Sequence, residues 1–209
     1  MKKKSVITHL FLDIGGVLLT NGWDHHSRKR AAEKFKLNFS ELDERHRMAF
    51  EVYEKGNLSL KEYLDLVIFT QKRSFTRAQF WHFMCEQSKP CSEMLEMIKR
   101  LKEKYGLKIF VVSNEARELN DYRIKKFKLT DFIDAFISSS LVGLRKPDPE
   151  IFLLALNISQ AKEENIIYIE NTQMFVEIAE ALGIQSILHT DYKTTCSKLA
   201  LLGLKNEKI

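Results

Sequence analysis

Residues 92–113 read SEMLEMIKRLKEKYGLKIFVVS, and this stretch decides the fold. Its first part carries apolar side chains at helical spacing, on Leu95, Ile98, Leu101 and Tyr105. Gly106 follows at once, and glycine is the residue found most often just past the end of a helix. The apolar run at 108–112 then has the character of a buried strand. The stretch therefore predicts a helix that ends at a glycine and leads directly into a strand.

The same alternation extends in both directions from this stretch. Upstream, residues 8–14 form a short apolar run that stops at Gly15 and Gly16. Asp148 is the expected N-cap of a helix that begins at Pro149. Further strands are predicted at 135–139, 166–170 and 186–189, and further helices at 116–128, 149–158 and 173–182. Strands that alternate with helices predict an α/β fold, a Rossmann-like parallel sheet covered by helices on both faces.

Residues 21–90 differ in character from the rest of the chain. They are rich in charged and aromatic residues, contain several helical stripes and lack a convincing strand. We expect a helical core that includes Phe75, Phe80, Trp81, Phe83 and Met84. Since neither a repeat nor a linker is found, we predict an insertion: residues 1–20 and 91–209 form one α/β core domain around a helical domain at 21–90.

The composition excludes several classes of protein. The 209 residues are 44% hydrophobic and 29% charged, which is ordinary for a globular chain. The net charge of +5 is too weakly basic to indicate nucleic acid and suits small phosphorylated molecules equally well. The three cysteines form no CxxC pair, which favours reduced thiols in the cytoplasm and argues against a zinc site.

The N-terminus resembles a signal peptide only superficially. Lysines at 2–4 precede an apolar run, but His9 and Asp13 interrupt that run. No stretch reaches the roughly 18 apolar residues of a membrane span. We expect a soluble, cytoplasmic monomer or homodimer with neither a membrane nor a nucleic-acid partner.

Polar residues collect at the predicted carboxyl ends of the strands. They are Asp13, then Ser113 and Asn114, then Lys146 in the loop after the third strand, then Glu170 and Asn171. In sheets of this kind the carboxyl ends of the strands face the ligand crevice. Two carboxylates, an ammonium and a hydroxyl at one rim suit metal-assisted phosphoryl transfer, which needs a nucleophile, cationic compensation and oriented donors.

Four short motifs make the chain resemble the haloacid dehalogenase-like hydrolase superfamily. They are DIGGV at 13–17, VSN at 112–114, KPDP at 146–149 and IEN at 169–171. Each motif is weak by itself, but four in order between alternating strands give a strong signal. The resemblance implies a magnesium-dependent phosphatase for a small phosphorylated metabolite, and it makes the inserted helices similar to that superfamily's small helical cap.

The resemblance also implies roles for individual residues. Asp13 would be the nucleophile and form an aspartyl-phosphate that water later hydrolyses. Ser113, the Asn114 backbone amide and Gly16 would bind the phosphoryl oxygens. Lys146 would offset the negative charge of Asp13 and of the phosphoryl group.

A Mg²⁺ site is implied at the same edge. Magnesium prefers hard oxygen ligands, commonly one or two carboxylates, with water and substrate phosphate completing six. Asp13, the Gly15 carbonyl and Glu170 would supply the protein ligands. Asn171 stands where a second acidic residue is usual, so we expect weaker metal affinity.

Gly15 is the departure from the superfamily's motifs that argues most strongly against an enzyme. Most phosphatases of the superfamily have at this position an Asp that protonates the leaving alcohol and then activates water, and glycine has no titratable group. The substrate could have a good leaving group, or another residue could substitute. The nearest candidates are Asp24, His25, His26 and Glu115.

Two other functions remain open. The chain could be a weak or inactive module that binds a phosphorylated ligand, or a metal-independent dehalogenase, although the latter would not require Glu170. The Lys and Arg residues at 117–128 are expected to form a solvated helix face.

Overall fold

A computed structural model describes residues 6–206, and within them five parallel strands form one sheet in the order β3-β2-β1-β4-β5. The lysines at 2–4 lie outside the described residues. The strands are β1 (His9–Leu12), β2 (Lys108–Ser113), β3 (Ala135–Ser138), β4 (Ile166–Glu170) and β5 (Gln185–Leu188). The predicted α/β class is thereby confirmed.

Ten α-helices accompany the sheet in the described part of the chain. Five helices lie between β1 and β2, and the first four of them are α1 (His25–Phe35), α2 (Phe39–Glu54), α3 (Leu60–Val67) and α4 (Arg77–Glu86). The others are α5 (Ser92–Tyr105), α6 (Arg117–Lys126), α7 (Ser139–Val142), α8 (Glu150–Ser159), α9 (Gln173–Ala181) and α10 (Tyr192–Leu201). No sequence pattern had indicated α7 or α10.

The ends of the helices follow local chemistry. Helix α5 stops because Gly106 adopts a left-handed conformation, with φ of 64°. The predicted cap of α8 was wrong by one residue: Pro149 is the N-cap, while the Asp148 carboxylate accepts a hydrogen bond from Glu150 N at 3.0 Å. A proline tolerates this place because its missing N–H would have no helical partner.

The sheet is buried on both faces, as parallel sheets are. Leu10 and Leu12 of β1 pack into one apolar cluster with α5, and Phe11 packs on the other face against residues of α8. Side chains alternate across a strand, so one strand serves both clusters. This packing holds the carboxyl ends of β1, β2 and β4 in place.

Helices α1–α4, called the insertion helices below, have an apolar cluster of their own. It includes Tyr63, Phe80, Phe83 and Met84, and Ala116 joins it from the sheet side. Side chains of Ser59 and Thr76 form capping boxes at the starts of α3 and α4. The boundaries of the two domains at 20–21 and 90–91 stay a prediction. Within residues 6–206, no helix is both long enough and apolar enough to cross a bilayer.

Candidate active site

The register of the sheet brings three strand ends together. Leu12 pairs with Val111 of β2 on one side and with Ile169 of β4 on the other. Asp13, which follows Leu12, donates its backbone N–H to the Ile169 carbonyl at 3.0 Å. The carboxyl ends of β1, β2 and β4 therefore meet at one edge of the sheet.

A buried lysine joins the two predicted carboxylates at this edge. Lys146 Nζ lies 2.9 Å from Asp13 Oδ1 and 2.5 Å from Glu170 Oε2. All three residues are almost inaccessible, with exposures of 1% for Lys146, 7% for Asp13 and 0% for Glu170. Burial of a charge this deep requires a partner, and each charge here has one.

Tyr168 completes this cluster, and the sequence analysis did not find it. Its hydroxyl lies 3.0 Å from Lys146 Nζ and donates a hydrogen bond to Glu170 Oε2. The other carboxylate oxygen of Glu170 accepts the backbone N–H groups of Asn171 and Thr172, both at 2.9 Å. The alternation of side chains could have indicated Tyr168, because residues two apart on a strand share a face.

The charged groups of the cluster shift one another's pKa values. Burial by itself lowers the pKa of Lys146, but the carboxylates of Asp13 and Glu170 outweigh it, so the pKa of the ammonium is raised. Burial raises the pKa of Asp13, and the Lys146 ammonium opposes that rise. Lys146 is therefore a fixed positive charge beside the carboxylate of Asp13.

Asn114 positions Lys146 through its side chain. Its Nδ2 donates to the Lys146 carbonyl, and its Oδ1 accepts the Lys146 N–H, both at 2.8 Å. The neighbouring Ser113 hydroxyl is buried at the end of β2, hydrogen-bonds the Asp13 carboxylate, and lies 3.5 Å from Ile14 N. Ser113 therefore lies beside the carboxylate, while the Asn114 side chain faces the loop that carries Lys146.

The two glycines after Asp13 have different surroundings. Gly16 has φ of 76°, and a Cβ there would come within 2.7 Å of Asn171 Cγ and of Asn21 Oδ1. A Cβ on Gly15 would meet nothing closer than 3.4 Å. Gly16 is thus required by its backbone and its neighbours, whereas Gly15 has room for a side chain.

The Asn171 amide lies against the predicted metal ligands. One end of it is 2.9 Å from Glu170 Oε1 and 3.1 Å from the Gly15 carbonyl oxygen. With nitrogen at that end, Asn171 donates to both oxygens. With oxygen at that end, three oxygens face one another without a donor, an arrangement that a hard cation satisfies. Among residues 6–206 there is no cluster of three or more His, Cys, Asp or Glu side chains fit for a metal.

A cavity of 380 Å³ opens above the cluster, between the strand ends and the insertion helices. From the sheet side it is lined by Asp13, Lys146, Glu170, Asn114 and Glu115, and from the insertion side by Trp23, Arg28, His46, Phe50 and Glu54. The volume suits a small metabolite.

Three of the residues predicted as substitutes for the missing acid occupy different places. Asp24 lines the cavity, but its Oδ1 caps α1 by accepting Ser27 N at 2.7 Å. His25 does not line it: its side chain is 57% exposed, lies 3.7 Å from Asp43 and contacts the edge of Phe39. His26 is exposed.

Arg123 corrects the expectation that the basic residues at 117–128 form a solvated face. It is 1% exposed and donates to Glu115 Oε1, to the Thr20 carbonyl and, at 3.0 Å, to Ser88 Oγ. Helical position alone did not distinguish it from its neighbours, because two of its partners, Thr20 and Ser88, come from distant segments.

Two further cavity residues have side-chain partners, and burial shifts the pKa of both, raising that of Glu54 and lowering that of His46. Glu54 Oε2 accepts Arg145 Nε at 3.1 Å and Nη2 at 2.9 Å. His46 Nδ1 lies 2.8 Å from the Tyr63 hydroxyl, and burial together with the nearby Arg28 lowers the pKa of His46 to about 3. His46 is therefore a neutral imidazole in the cavity wall.

The chain is similar to members of a known protein family. The profile of the family described as haloacid dehalogenase-like hydrolase matches residues 26–189, which lie after Asp13. A phosphorylated carbohydrates phosphatase of Thermotoga maritima is 26% identical over 190 residues, covering 85% of this chain and 82% of the relative.

Two solved structures share the fold. One is a haloacid dehalogenase family enzyme, bt-2542 of Bacteroides thetaiotaomicron, in complex with magnesium and inorganic phosphate, with a TM-score of 0.72, 22% identity, and coverage of 87% of this chain and 93% of that chain. The other is L-2-haloacid dehalogenase from Xanthobacter autotrophicus, with a TM-score of 0.61, 17% identity, and coverage of 87% and 76%. Because the family profile spans well over half of the sequence, the chain belongs to the haloacid dehalogenase-like hydrolase family.

Proposed function

We propose that this protein is a magnesium-dependent phosphatase that hydrolyses a small phosphorylated metabolite through an aspartyl-phosphate on Asp13. The observation that carries the proposal is the Asp13–Lys146–Glu170 cluster at the floor of the cavity. The Thermotoga maritima relative, named a phosphorylated carbohydrates phosphatase, supports the same substrate class.

Asp13 is the nucleophile of the proposed reaction. A carboxylate oxygen attacks phosphorus, the bond to the leaving oxygen breaks, and water then releases phosphate from the aspartyl-phosphate. Lys146, already 2.9 Å from Asp13, balances the charge of the carboxylate and of the phosphoryl oxygens without having to move. Ser113, the Asn114 backbone amide and Gly16 are the proposed binding groups for those oxygens.

Asp13, the Gly15 carbonyl and Glu170 are the proposed magnesium ligands, with the Asn171 oxygen beside them. Bound Mg²⁺ supplies positive charge that orients the phosphoryl group and stabilises its oxygens. Glu170 would hold the ion with a carboxylate that four hydrogen bonds already keep in place. A bound ion would favour the orientation of the Asn171 amide in which its oxygen lies beside the Gly15 carbonyl.

A panel of phosphate monoesters tests the function. The native chain should release phosphate with Mg²⁺, and turnover should disappear with chelator and in Asp13→Asn. Asp121→Asn, an exposed carboxylate of α6, is the matched control and should retain native turnover. Phosphate release that persists in Asp13→Asn would contradict the proposed nucleophile.

A second function is favoured by Gly15, which has no side chain to serve as acid or base. In that case the chain binds a phosphorylated ligand without turning it over. Thermal stabilisation by inorganic phosphate plus Mg²⁺, with no hydrolysis of any ester, would support this alternative. Halide release that resists chelator would instead identify a dehalogenase.

A further inference from the structure

The phosphatase proposed above lacks a group to protonate the leaving alcohol, and the following inference rests on that proposed function. An alkoxide is a poor leaving group, so a positioned acid commonly contributes a factor of about 10² to 10⁴. Gly15 cannot supply the proton. The acid must therefore be another side chain that reaches the cavity.

Glu115 has the placement that this role requires. It lies two residues beyond Ser113, on the loop that leaves β2, and it lines the same cavity as Asp13. Its backbone N–H is fixed by Ser139 Oγ at 3.0 Å. One carboxylate oxygen, Oε1, is held by Arg123, while Oε2 accepts no hydrogen bond from any residue between 6 and 206. The carboxyl group of this cavity-lining residue is thus anchored through one oxygen and free of a hydrogen bond from the described residues at the other.

The other candidates are less suited. Asp24 already caps α1, and neither His25 nor His26 lines the cavity. Glu54 does line it, but it lies on an insertion helix and its Oε2 accepts two hydrogen bonds from Arg145. Glu115 is the cavity carboxyl group attached next to Ser113 and the phosphoryl site.

We propose that Glu115 transfers the proton in both half-reactions, in place of the absent side chain at Gly15. In the first, Asp13 attacks phosphorus, the bond from phosphorus to the leaving oxygen breaks, and Glu115 Oε2 gives its proton to that oxygen. In the second, Glu115 takes a proton from water as the water oxygen attacks phosphorus. The aspartyl bond to phosphorus then breaks, which returns the Asp13 carboxylate, inorganic phosphate and protonated Glu115.

The electrostatics support this role. Burial raises the pKa of Glu115 to about 7; Arg123 of α6 opposes the rise, and the carboxylates of Asp13 and of Glu54 on α2 add to it. A carboxyl group that titrates near neutrality can both give and accept a proton at working pH. Arg123 keeps the group oriented in both states.

The test is the kcat/KM of Glu115→Gln for two kinds of ester. For p-nitrophenyl phosphate, whose leaving group needs no proton, we expect a loss within about threefold, but for an alkyl phosphate a loss of about 10²-fold or more. This ratio reports the steps up to departure of the leaving group, so slower hydrolysis of the aspartyl-phosphate does not enter it. The basic limb of the native pH profile for the alkyl ester, near pH 7, should vanish in the variant.

Three further variants complete the experiment. Glu115→Asp keeps the acid and its pairing with Arg123, so its ratio of alkyl to aryl activity should stay closer to native. Adding Gly15→Asp to Glu115→Gln should restore alkyl ester hydrolysis, because a Cβ at position 15 has room. Glu180→Gln, an exposed carboxylate of α9 outside the cavity, is the matched control. Thermal stabilisation by Mg²⁺ plus inorganic phosphate verifies that each variant retains the folded pocket.

The outcomes separate this inference from the function on which it rests. If the native chain hydrolyses neither ester, both proposals are wrong. If it hydrolyses both and Glu115→Gln lowers the two kcat/KM values equally, or leaves both unchanged, only the role of Glu115 is overturned. The role of Glu115 is also overturned, and the phosphatase function stands, if Glu54→Gln rather than Glu115→Gln loses activity only toward the alkyl ester.

Discussion

Lys146 shows how one side chain organises the floor of the cavity. Its ammonium contacts Asp13, Glu170 and the Tyr168 hydroxyl, while its backbone is held by the Asn114 amide. The ion pairs and the backbone contacts both fix its position. A charge fixed in advance stabilises developing negative charge without reorganisation, which is how such groups accelerate reactions.

Replacing Lys146 by Met should therefore affect stability as well as turnover. Removing one partner of a buried ionic cluster costs about 3–5 kcal/mol, because the remaining charges stay buried. In the variant Asp13 and Glu170 bury two carboxylates together, and protonating one relieves their repulsion. Its stability should accordingly rise as pH falls from 8 to 5. In the native chain Lys146 has a raised pKa, so its contribution is complete below the ordinary lysine pKa and constant over this range.

Urea denaturation of the native chain and the variant at pH 5 and pH 8 measures this effect. Lys126→Met removes an exposed lysine of α6 and should change the free energy of unfolding little at either pH. A loss in Lys146→Met that is equal at both pH values would show that the carboxylates are not left unpaired.

The adjacent glycines give a matched pair of substitutions. Gly16→Ala should lower the free energy of unfolding by about 1–3 kcal/mol, because its φ of 76° is strained for any side chain and its Cβ would meet Asn171 and Asn21. Gly15→Ala should have a much smaller effect, since its Cβ finds space. Urea denaturation measures both, and a Mg²⁺ titration should show weaker binding only in Gly16→Ala. Equal losses in the two variants would contradict this difference.

The sequence predicts some of these residues better than others. Asp13, Ser113 and Glu170 are foreseeable because each follows a recognisable strand, and parallel strands share an edge. Arg123 is not foreseeable, since two of its partners, Thr20 and Ser88, are far from it in sequence. Tyr168 lies between these cases, because its strand was predicted but the partner of its hydroxyl depends on Lys146.

At the scale of elements, α6 ties the sheet to both connections of the insertion helices. The two connecting segments pair with each other, since Thr20 N donates to the Lys89 carbonyl at 2.9 Å and Leu19 bridges Pro90. Arg123 of α6 binds both segments, through the Thr20 carbonyl and Ser88. The same guanidinium holds Glu115, so the cavity carboxyl group and the connections share one anchor.

This anchored carboxyl group should make stability depend on pH. The pKa of Glu115 is raised to about 7 in the folded chain, so the folded state keeps a proton that the unfolded chain releases. The stabilisation that this bound proton gives to the folded chain is complete below the ordinary glutamate pKa and is lost as pH rises through about 7. The linkage amounts to about 3 kcal/mol over that range.

Denaturation of the native chain and of Glu115→Gln from pH 4.5 to 8 isolates the effect. The difference between their free energies of unfolding should change across this range and level off above pH 7. Other carboxylates contribute equally to both proteins, so they cancel in this difference. Glu180→Gln, an exposed carboxylate of α9, provides the control. A difference that is independent of pH would mean that Glu115 titrates at its ordinary value.

The whole molecule places a polar cavity between two apolar clusters. One wall belongs to the sheet and the other to the insertion helices, so a ligand in the cavity contacts both. The alternation of strand and helix patterns along the sequence predicts the sheet, and the helical stripes of aromatic residues predict the insertion helices. The sequence does not predict which side chains of α1 and α2 line the cavity, because that depends on how these helices pack against the sheet.

A ligand held between the two walls should stabilise the entire chain. At 100 times its dissociation constant, it adds about 2.7 kcal/mol to the free energy of unfolding. For a chain of this size that corresponds to an increase of about 5–10 °C in Tm. We expect inorganic phosphate with Mg²⁺ to produce such a shift in a single cooperative transition, and chelator to abolish it. Lys146→Met should lose the shift because its cavity floor has two carboxylates and no cation to meet the phosphate, whereas Lys126→Met should keep it. If phosphate raises one of two separate transitions, the ligand contacts only one wall, and the proposed binding between the sheet and the insertion helices is wrong.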